Sequence, residues 1–267
     1  MENKLSIIVN SCDRYKDCWK PFLFSIDKYW PDCPYDIYIL SNFESIQWHN
    51  ATFIKVGMLY GFGNEMSFAL NKINSDYVLY MQDDYFLSQK VNTEAIEAHL
   101  QHCITNNVDQ LKLSTDGSNR DKYRIEQSDY CINPMDKPYA INTDISIWNR
   151  DSFIKVCFPD TTIWDWERSL TTYVNDHFPN FRSEVLFSSL YNKKGIVPIP
   201  GTAILKGKWT RSGADFLITN GFNDELKKRG TIGYIKRIAY ESKTNNHLYK
   251  FIIKAILKFM EITKFNF

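Results

Sequence analysis

The sequence predicts an α/β protein with a mainly parallel sheet and helices on both faces. Two observations predict this class. Short apolar runs of strand length alternate with stretches of helical periodicity over roughly the first 85 residues. The chain also has 267 residues and 44% hydrophobic residues, enough for one large core.

The first half gives the clearer succession of elements. The run LSIIV predicts a strand at 5–9, and the spacing of Trp19, Phe22 and Ile26 predicts a helix that ends before Pro31. Further apolar runs predict strands at 35–40, 52–56 and 77–81, and a helix follows the glycines at 61–63. The carboxyl ends of parallel strands share one edge, where such sheets bind ligands. The polar clusters at 10–14, 41–42 and 82–84 therefore point to one crevice.

The second half is less regular. It predicts helices at 92–104, 150–156 and 164–174, strands at 110–114, 140–148 and 196–205, and loops over 115–138.

The charge distribution divides the chain. Residues 1–215 carry 22 Lys and Arg against 27 Asp and Glu, whereas residues 216–267 carry 10 against 4. We expect one folded domain over 1–215 and a helical, basic appendage over 216–267. With a net charge of +1, the whole chain does not resemble a nucleic-acid-binding protein. Lysines four residues apart at 250, 254 and 258 suit peripheral contact with an anionic membrane, packing on the domain, or an oligomer contact.

The cysteines and the N-terminus predict the compartment. None of the six cysteines has CxxC spacing, which favours free thiols in a reducing environment. The N-terminus lacks a signal-peptide pattern, and no segment is apolar enough to span a membrane. We therefore expect a cytoplasmic protein.

Gln82-Asp83-Asp84 follows the apolar run YVLYM directly. Adjacent carboxylates at the end of a buried strand repel each other and lose solvation, and a divalent cation offsets both costs. Mg²⁺ and Mn²⁺ take one or two such carboxylates and complete their shell with phosphates and water. The alternative is a solvated turn or a helix cap.

These segments together resemble a known family. The strand ending in SCDR, the strand ending in SN, the GFGN helix and YVLYMQDDYF look like the nucleotide half of a GT-A-type glycosyltransferase, a Rossmann-type fold, over about residues 4–90. QDD stands where that family has its DXD motif, with Gln82 replacing the first acidic residue. The resemblance implies that Asp84 holds Mn²⁺ or Mg²⁺, and that Asp83 assists through a metal-bound water or by contacting the donor ribose. It also implies a nucleotide-binding half at 1–90 and an acceptor half at 91–215.

The resemblance further implies a nucleotide-diphosphate sugar donor, with UDP favoured. Its base and ribose would contact residues at the first two strand ends and one residue of the GFGN helix, namely Asn10, Ser11, Asp13, Arg14, Ser41, Asn42 and Asn64. Arg14 can instead pair with a neighbouring aspartate. Lys208 and Arg211, in the loop KGKWTRSG, are candidates to close over the diphosphate, with a basic surface loop as the alternative.

A second acidic motif supplies a candidate base. DISIWNRDSF followed by IWDWE resembles a bacterial, family-2-like subgroup in which an acidic residue deprotonates the acceptor hydroxyl. We favour Glu167 over Asp165, and the alternative is that both serve the start of a helix. Asp144, Trp148 and Trp164 are candidate acceptor contacts, although core packing is the commoner role of Trp.

The resemblance implies an inverting hexosyl- or N-acetylhexosaminyl-transferase of bacterial surface polysaccharide synthesis, for lipopolysaccharide or capsule. Its acceptor would be a glycan or a lipid-linked glycan at the inner face of the cell membrane. Two alternatives remain. One is a nucleotidyltransferase, for which NSCDRY lacks the expected glycines. The other is a non-catalytic glycan- or nucleotide-binding module.

Overall fold

The structure is a computed structural model that describes residues 4–113, 124–125, 128–136, 138–159, 162–186 and 196–232. The chain divides into two compact units, Met1–Gly201 and Thr202–Phe267. The division falls earlier than the boundary that we expected at residue 215. The lysines of the predicted basic tail at 247–262 lie outside the described residues.

The first unit contains eight strands and five helices among its described residues. The strands are β1 (Leu5–Asn10), β2 (Ile37–Ser41), β3 (Ala51–Lys55), β4 (Tyr77–Gln82), β5 (Gln110–Lys112), β6 (Tyr130–Ile132), β7 (Ser146–Asn149) and β8 (Ser183–Leu186). The helices are α1 (Lys16–Tyr29), α2 (Phe62–Leu70), α3 (Thr93–Asn106), α4 (Arg150–Val156) and α5 (Ile163–His177). A single 3₁₀ turn, Asp13–Tyr15, precedes α1.

All eight strands form one sheet in the order β3-β2-β1-β4-β7-β5-β8-β6. The first four strands are mutually parallel, as predicted, and in the ladder between β1 and β4 Asn10 is paired with Gln82. β7 runs antiparallel to both of its neighbours, whereas β5 is parallel to β8. The carboxyl ends of β1, β2, β4 and β5 therefore share one edge of the sheet.

Helices cover the sheet because its central strands are apolar on both faces. Ile8, Val78 and Tyr80 belong to one buried cluster with side chains of α2, α4 and α5. The alternate residues Ile7 and Leu79 are equally buried, so the opposite face is covered as well. The predicted α/β class is confirmed.

Two strands and one loop differ from the prediction. β6 lies inside the stretch predicted as loop, and β8 was not predicted at all. The prediction of a strand at 196–205 is wrong. A turn occupies 196–198, and only Ile204–Leu205 forms a paired strand. The two prolines of this segment lack the N–H that a ladder requires.

The second unit is described by itself. It contains a short antiparallel hairpin of β9 (Ile204–Leu205) and β10 (Lys208–Trp209), followed by α6 (Arg211–Thr219) and α7 (Asn223–Arg229). Trp209 is its buried centre, and its indole N–H donates to the carbonyl of Glu225 at 3.0 Å. Among the described residues, no helix is both long and apolar enough to cross a membrane.

Candidate active site

Two carboxylates follow β4 directly. Asp83 and Asp84 are each only 6% exposed, and the N–H of Asp83 donates to the carbonyl of Asn10 at 3.3 Å. The ladder between β1 and β4 therefore fixes where the pair begins. Both carboxylates lie at the edge of the sheet predicted to bind a ligand.

The end of β1 orients Asp83. The hydroxyl of Ser11 donates a short hydrogen bond to Asp83 Oδ2, and the buried indole of Trp19 donates to Ser11 Oγ at 2.7 Å. Ser11, expected to contact the donor, thus contacts a carboxylate of the predicted metal site. This arrangement fixes one Asp83 oxygen.

A chain of hydrogen bonds brings Glu167 to the same edge. Gln82 Nε2 donates to Thr143 Oγ1 at 2.9 Å, and the Thr143 N–H donates to Glu167 Oε1 at 2.7 Å. The Thr143 hydroxyl donates to the same oxygen at 2.5 Å. Glu167 is partly buried, and its Oε2 accepts no hydrogen bond from the described residues. One carboxylate oxygen is thus anchored and the other remains available to a proton donor.

The pKa values of two buried tyrosines are raised by burial and by the nearby acidic groups. Burial raises the pKa of Tyr80 well above its usual range, and the charges of Tyr85, Glu167, Asp83 and Asp84 add to this effect. Burial also raises the pKa of Tyr85 well above its usual range, with additional contributions from Asp144, Asp84 and Glu167. Four carboxylates from separate sequence motifs therefore each act on one or both tyrosines, and they are Asp83, Asp84, Asp144 and Glu167.

Asp144 forms an ion pair with a buried lysine. Lys112 Nζ at the end of β5 lies 3.2 Å from Asp144 Oδ2, and the lysine side chain is only 6% exposed. Asn142 Nδ2 donates to the same oxygen at 2.9 Å. Asp144 is 40% exposed, so it also faces solvent at this edge.

Asp13 joins the ends of β1 and β2. Its carboxylate accepts backbone N–H groups of Asn42 at 2.9 Å, Phe43 at 3.0 Å and Glu44 at 3.3 Å. Asn42 Oδ1 accepts the Asp13 N–H in return at 3.2 Å. The Asp13 carboxylate is therefore occupied by the β2 turn, and its effect on a donor would be indirect. Ser41 is fully buried, so the expectation that its hydroxyl contacts the donor is wrong.

The remaining donor candidates of the first unit line the two helix starts. Arg14 is exposed on the 3₁₀ turn, and Asn64 Nδ2 donates to the carbonyl of Tyr60 at 2.8 Å in the first turn of α2. The neighbouring Glu65 was not among the predicted site residues. Burial raises the pKa of this carboxyl. Burial also raises the pKa of the Cys12 thiol, and the charges of Asp83 and Glu65 add to that rise. A fifth carboxylate thus lies near the crevice, and its position in the first helical turn was the only sequence signal.

The start of α5 separates the two candidate bases. Asp165 N–H donates to the N-capping Thr162 at 3.2 Å, and the Asp165 carboxylate lies 3.2 Å from Arg168. It is therefore engaged on an exposed face of the helix, whereas Glu167 faces the crevice. Trp164 is 71% exposed and available to a ligand. Trp148 is 1% exposed and stacks on Phe153, so the prediction that it contacts an acceptor is wrong.

Lys208 and Arg211 belong to the second unit. Lys208 is exposed on β10, and Arg211 in the first turn of α6 lies 3.6 Å from Asp215. Their role at the diphosphate stays a prediction.

The donor set fits a hard divalent cation that shares its shell with a substrate. Within the described ranges, no three His, Cys, Asp or Glu side chains form a complete metal site. Asp83 and Asp84 supply two carboxylates, which is the protein share that Mg²⁺ and Mn²⁺ use when phosphates and water complete the shell. An acidic crevice of this kind repels a diphosphate unless a cation accompanies it.

No family model matches the chain, and no curated protein matches it in sequence. Similar solved structures include S. aureus TarS 1–349 in complex with UDP-GlcNAc, with 16% identity and a TM-score of 0.46, covering 69% of this chain and 56% of that one. A putative nucleotide-diphospho-sugar transferase from Desulfovibrio desulfuricans G20 has 13% identity and a TM-score of 0.43, covering 69% and 80%.

A cytidylyltransferase from Leptospira borgpetersenii serovar Hardjo-bovis has 12% identity and a TM-score of 0.47, covering 86% and 99%. The match with TarS 1–349 spans less than two thirds of that chain.

Proposed function

We propose that the chain is a metal-dependent glycosyltransferase that transfers a sugar from a UDP-sugar to a hydroxyl group of a glycan. The arrangement of two buried carboxylates after β4 and of Glu167, anchored through Thr143 at the same edge, supports this function. Transfer requires a site for a metal-bound diphosphate beside a base for the acceptor, and the crevice offers residues for both.

The proposed reaction is a single displacement. Asp84, assisted by Asp83, would hold a divalent cation, which supplies charge neutralisation for the departing nucleoside diphosphate. Glu167 Oε2 takes the proton of the acceptor hydroxyl as its oxygen bonds to the anomeric carbon. The bond from that carbon to the diphosphate breaks, and the configuration inverts.

Several finer assignments belong to the same proposal. The transferred group would be a hexose or an N-acetylhexosamine, and the acceptor a glycan or lipid-linked glycan of a bacterial surface polysaccharide. Asn10, Arg14, Asn42 and Asn64 would contact the nucleotide, and Lys208 and Arg211 the diphosphate. Asp144 and Trp164 would contact the acceptor, since both are at least partly exposed. The reaction would take place at the cytoplasmic face of the membrane.

A donor panel tests the proposed function. UDP-GlcNAc, UDP-glucose, UDP-galactose, GDP-mannose and dTDP-glucose are incubated with the full chain, methyl glycosides and Mn²⁺, and nucleotide release and glycoside products are measured. We expect one UDP-sugar to give a product, and EDTA to abolish it. The same mixtures with CTP and sugar phosphates test the nucleotidyltransferase alternative. Donor-dependent thermal stabilisation with no product would instead favour a binding module.

Two variants identify the base. Glu167→Gln is expected to lower kcat by about 10²- to 10⁴-fold while retaining donor binding, because a positioned base contributes about that much. Asp165→Asn is expected to keep most of the activity, since Asp165 is engaged with Thr162 and Arg168. Asp176→Asn, an exposed carboxylate on the same helix, is the matched control. Full activity in Glu167→Gln would remove this residue from the mechanism.

A further inference from the structure

Gln82 stands where the resembled family has an acidic residue, and its side-chain amide contacts Thr143. Gln82 Nε2 lies 2.9 Å from Thr143 Oγ1 and 3.3 Å from the Thr143 carbonyl oxygen. A carbonyl oxygen only accepts hydrogen bonds, so the group facing it must be the NH₂ of the amide. Gln82 is therefore a donor to Thr143.

This direction sets the next hydrogen bond. A threonine hydroxyl has a single proton to donate. Because Thr143 Oγ1 accepts from Gln82, its own proton is free to go to Glu167 Oε1 at 2.5 Å. Both hydrogen bonds thus run in one direction: Gln82 on β4 donates to Thr143 in the loop before β7, and Thr143 donates to Glu167 on α5.

Hydrogen bonds to α5 and within the loop itself hold the loop that carries Thr143. The Ile141 N–H donates to Thr171 Oγ1 on α5 at 3.3 Å, and Asn142 bonds to Asp144 through both its side-chain oxygen and its nitrogen. Thr143 itself is only 6% exposed. Its position relative to α5 is consequently fixed by several contacts.

A carboxylate at position 82 would reverse the hydrogen bond between positions 82 and 143. It would draw the Thr143 hydroxyl proton toward itself, since an ionised carboxylate only accepts. Glu167 would lose one of its two donors and face an additional negative charge. An amide at this position is compatible with the observed arrangement, whereas an acidic side chain is not.

We propose that Gln82 and Thr143 are positioning residues that orient Glu167 for proton abstraction. Gln82 sets the direction of the Thr143 hydroxyl, and Thr143 anchors Oε1 so that Oε2 is presented to the acceptor. This inference rests on the proposed function of Glu167 as the base. It assigns position 82 to the acceptor side of the reaction instead of the metal or the ribose.

Graded variants at the two positions test it with the donor and methyl glycoside that give the highest turnover in the panel. Thr143→Val is expected to lower kcat about 10- to 100-fold with little change in donor KM, and Thr143→Ser, which keeps the hydroxyl, to remain within about threefold. Gln82→Glu is expected to lower kcat more than Gln82→Met, because it adds a charge as well as removing the donor.

A double variant separates positioning from folding. In the Glu167→Gln background, Thr143→Val should cause no further loss, because the base that it positions is already absent. Full kcat in both Thr143→Val and Gln82→Glu, with Glu167→Gln inactive, overturns the positioning role and leaves the base intact. An additive loss in the double variant overturns it as well, as does tighter donor binding by Gln82→Glu. Turnover that survives Glu167→Gln, or wild-type protein inactive with every donor, overturns the proposed function and this inference with it.

Discussion

Lys112 and Asp144 form an ion pair of 3.2 Å at the edge of the sheet that carries the candidate site. The two partners differ in environment, since the lysine side chain is 6% exposed and the aspartate 40%. Lys112 lies level with Ser146 at the start of β7, next to the loop of Thr143. The pair therefore connects a buried cation with the acidic crevice.

Removing one partner of this pair should destabilise the fold. Asp144→Asn leaves the buried Lys112 ammonium without its counter-charge, and we expect a loss of about 1–2 kcal/mol, reduced from the fully buried case by the exposure of Asp144. Lys112→Met in the same chain should recover part of that loss, because no buried charge then remains. Urea unfolding of both single variants and the double variant measures this. If the loss of stability in the double variant equals the sum of the losses in the two single variants, the two residues are not coupled.

Asp84→Asn should abolish metal-dependent activity while the protein stays folded. The substitution keeps the shape of the side chain and removes the charge that an oxygen-liganded cation requires. We expect at least a 100-fold loss of turnover. We also expect UDP with Mn²⁺ to raise the melting temperature of the wild-type chain and to leave that of Asp84→Asn unchanged. Asp176→Asn is the control. Unchanged stabilisation by UDP and Mn²⁺ in Asp84→Asn would contradict the metal assignment.

The sequence predicted β1 to β4 because their apolar runs are buried on both faces and their ends are marked by polar residues. β8 escaped prediction for the opposite reason. Its Glu184 is fully buried, its carboxylate forms an ion pair with Arg182 at 2.6 Å, and its Oε2 lies 2.7 Å from His102 Nε2. The hydrophobic pattern of a sequence does not show which charged residues will be paired. A strand with a buried carboxylate is therefore predicted as a loop.

The candidate site shows the same limit. Asp83 and Asp84 were identifiable because two carboxylates after an apolar strand are unusual. Thr143 was not, since a threonine in a loop is common and only its contact with Glu167 on α5 distinguishes it. Trp148 illustrates the converse, because the tryptophan pattern suggested sugar contact and its packing on Phe153 removed it from the surface.

Gly63 should tolerate no side chain. A Cβ at this position in α2 would lie 1.9 Å from the carbonyl oxygen of Phe158, which belongs to the backbone and has little freedom to move. Gly63→Ala is therefore expected to lower the free energy of unfolding by about 2–3 kcal/mol, as overpacking does. Ser67→Ala on the same helix is the control, with an expected change within about 0.5 kcal/mol. A stability of Gly63→Ala equal to the control would mean that the two segments are not in contact.

His99 should make the fold less stable in mild acid. It is 3% exposed, its Nδ1 lies 2.8 Å from the Tyr130 hydroxyl, and burial, followed by the charge of His102, lowers its pKa to about 4, against an opposing effect of Asp129. Between pH 6.5 and 4 the unfolded chain binds a proton at this position that the folded chain excludes, so stability falls as the pH decreases. The contribution of this residue is on the order of 2–3 kcal/mol across that interval.

The slope of stability against pH isolates this contribution from those of the other titrating groups. Urea unfolding is measured at several pH values between 7 and 4 for the wild type, for His99→Phe and for His49→Phe, which alters an exposed histidine. We expect His99→Phe to have lower stability at pH 7, because its hydrogen bond with the Tyr130 hydroxyl is lost. We also expect a shallower decline toward pH 4, because the variant lacks the titrating group. His49→Phe should keep the wild-type slope. If the slopes of His99→Phe and the wild type coincide, His99 titrates alike in the folded and unfolded chains, and its burial has no bearing on acid stability.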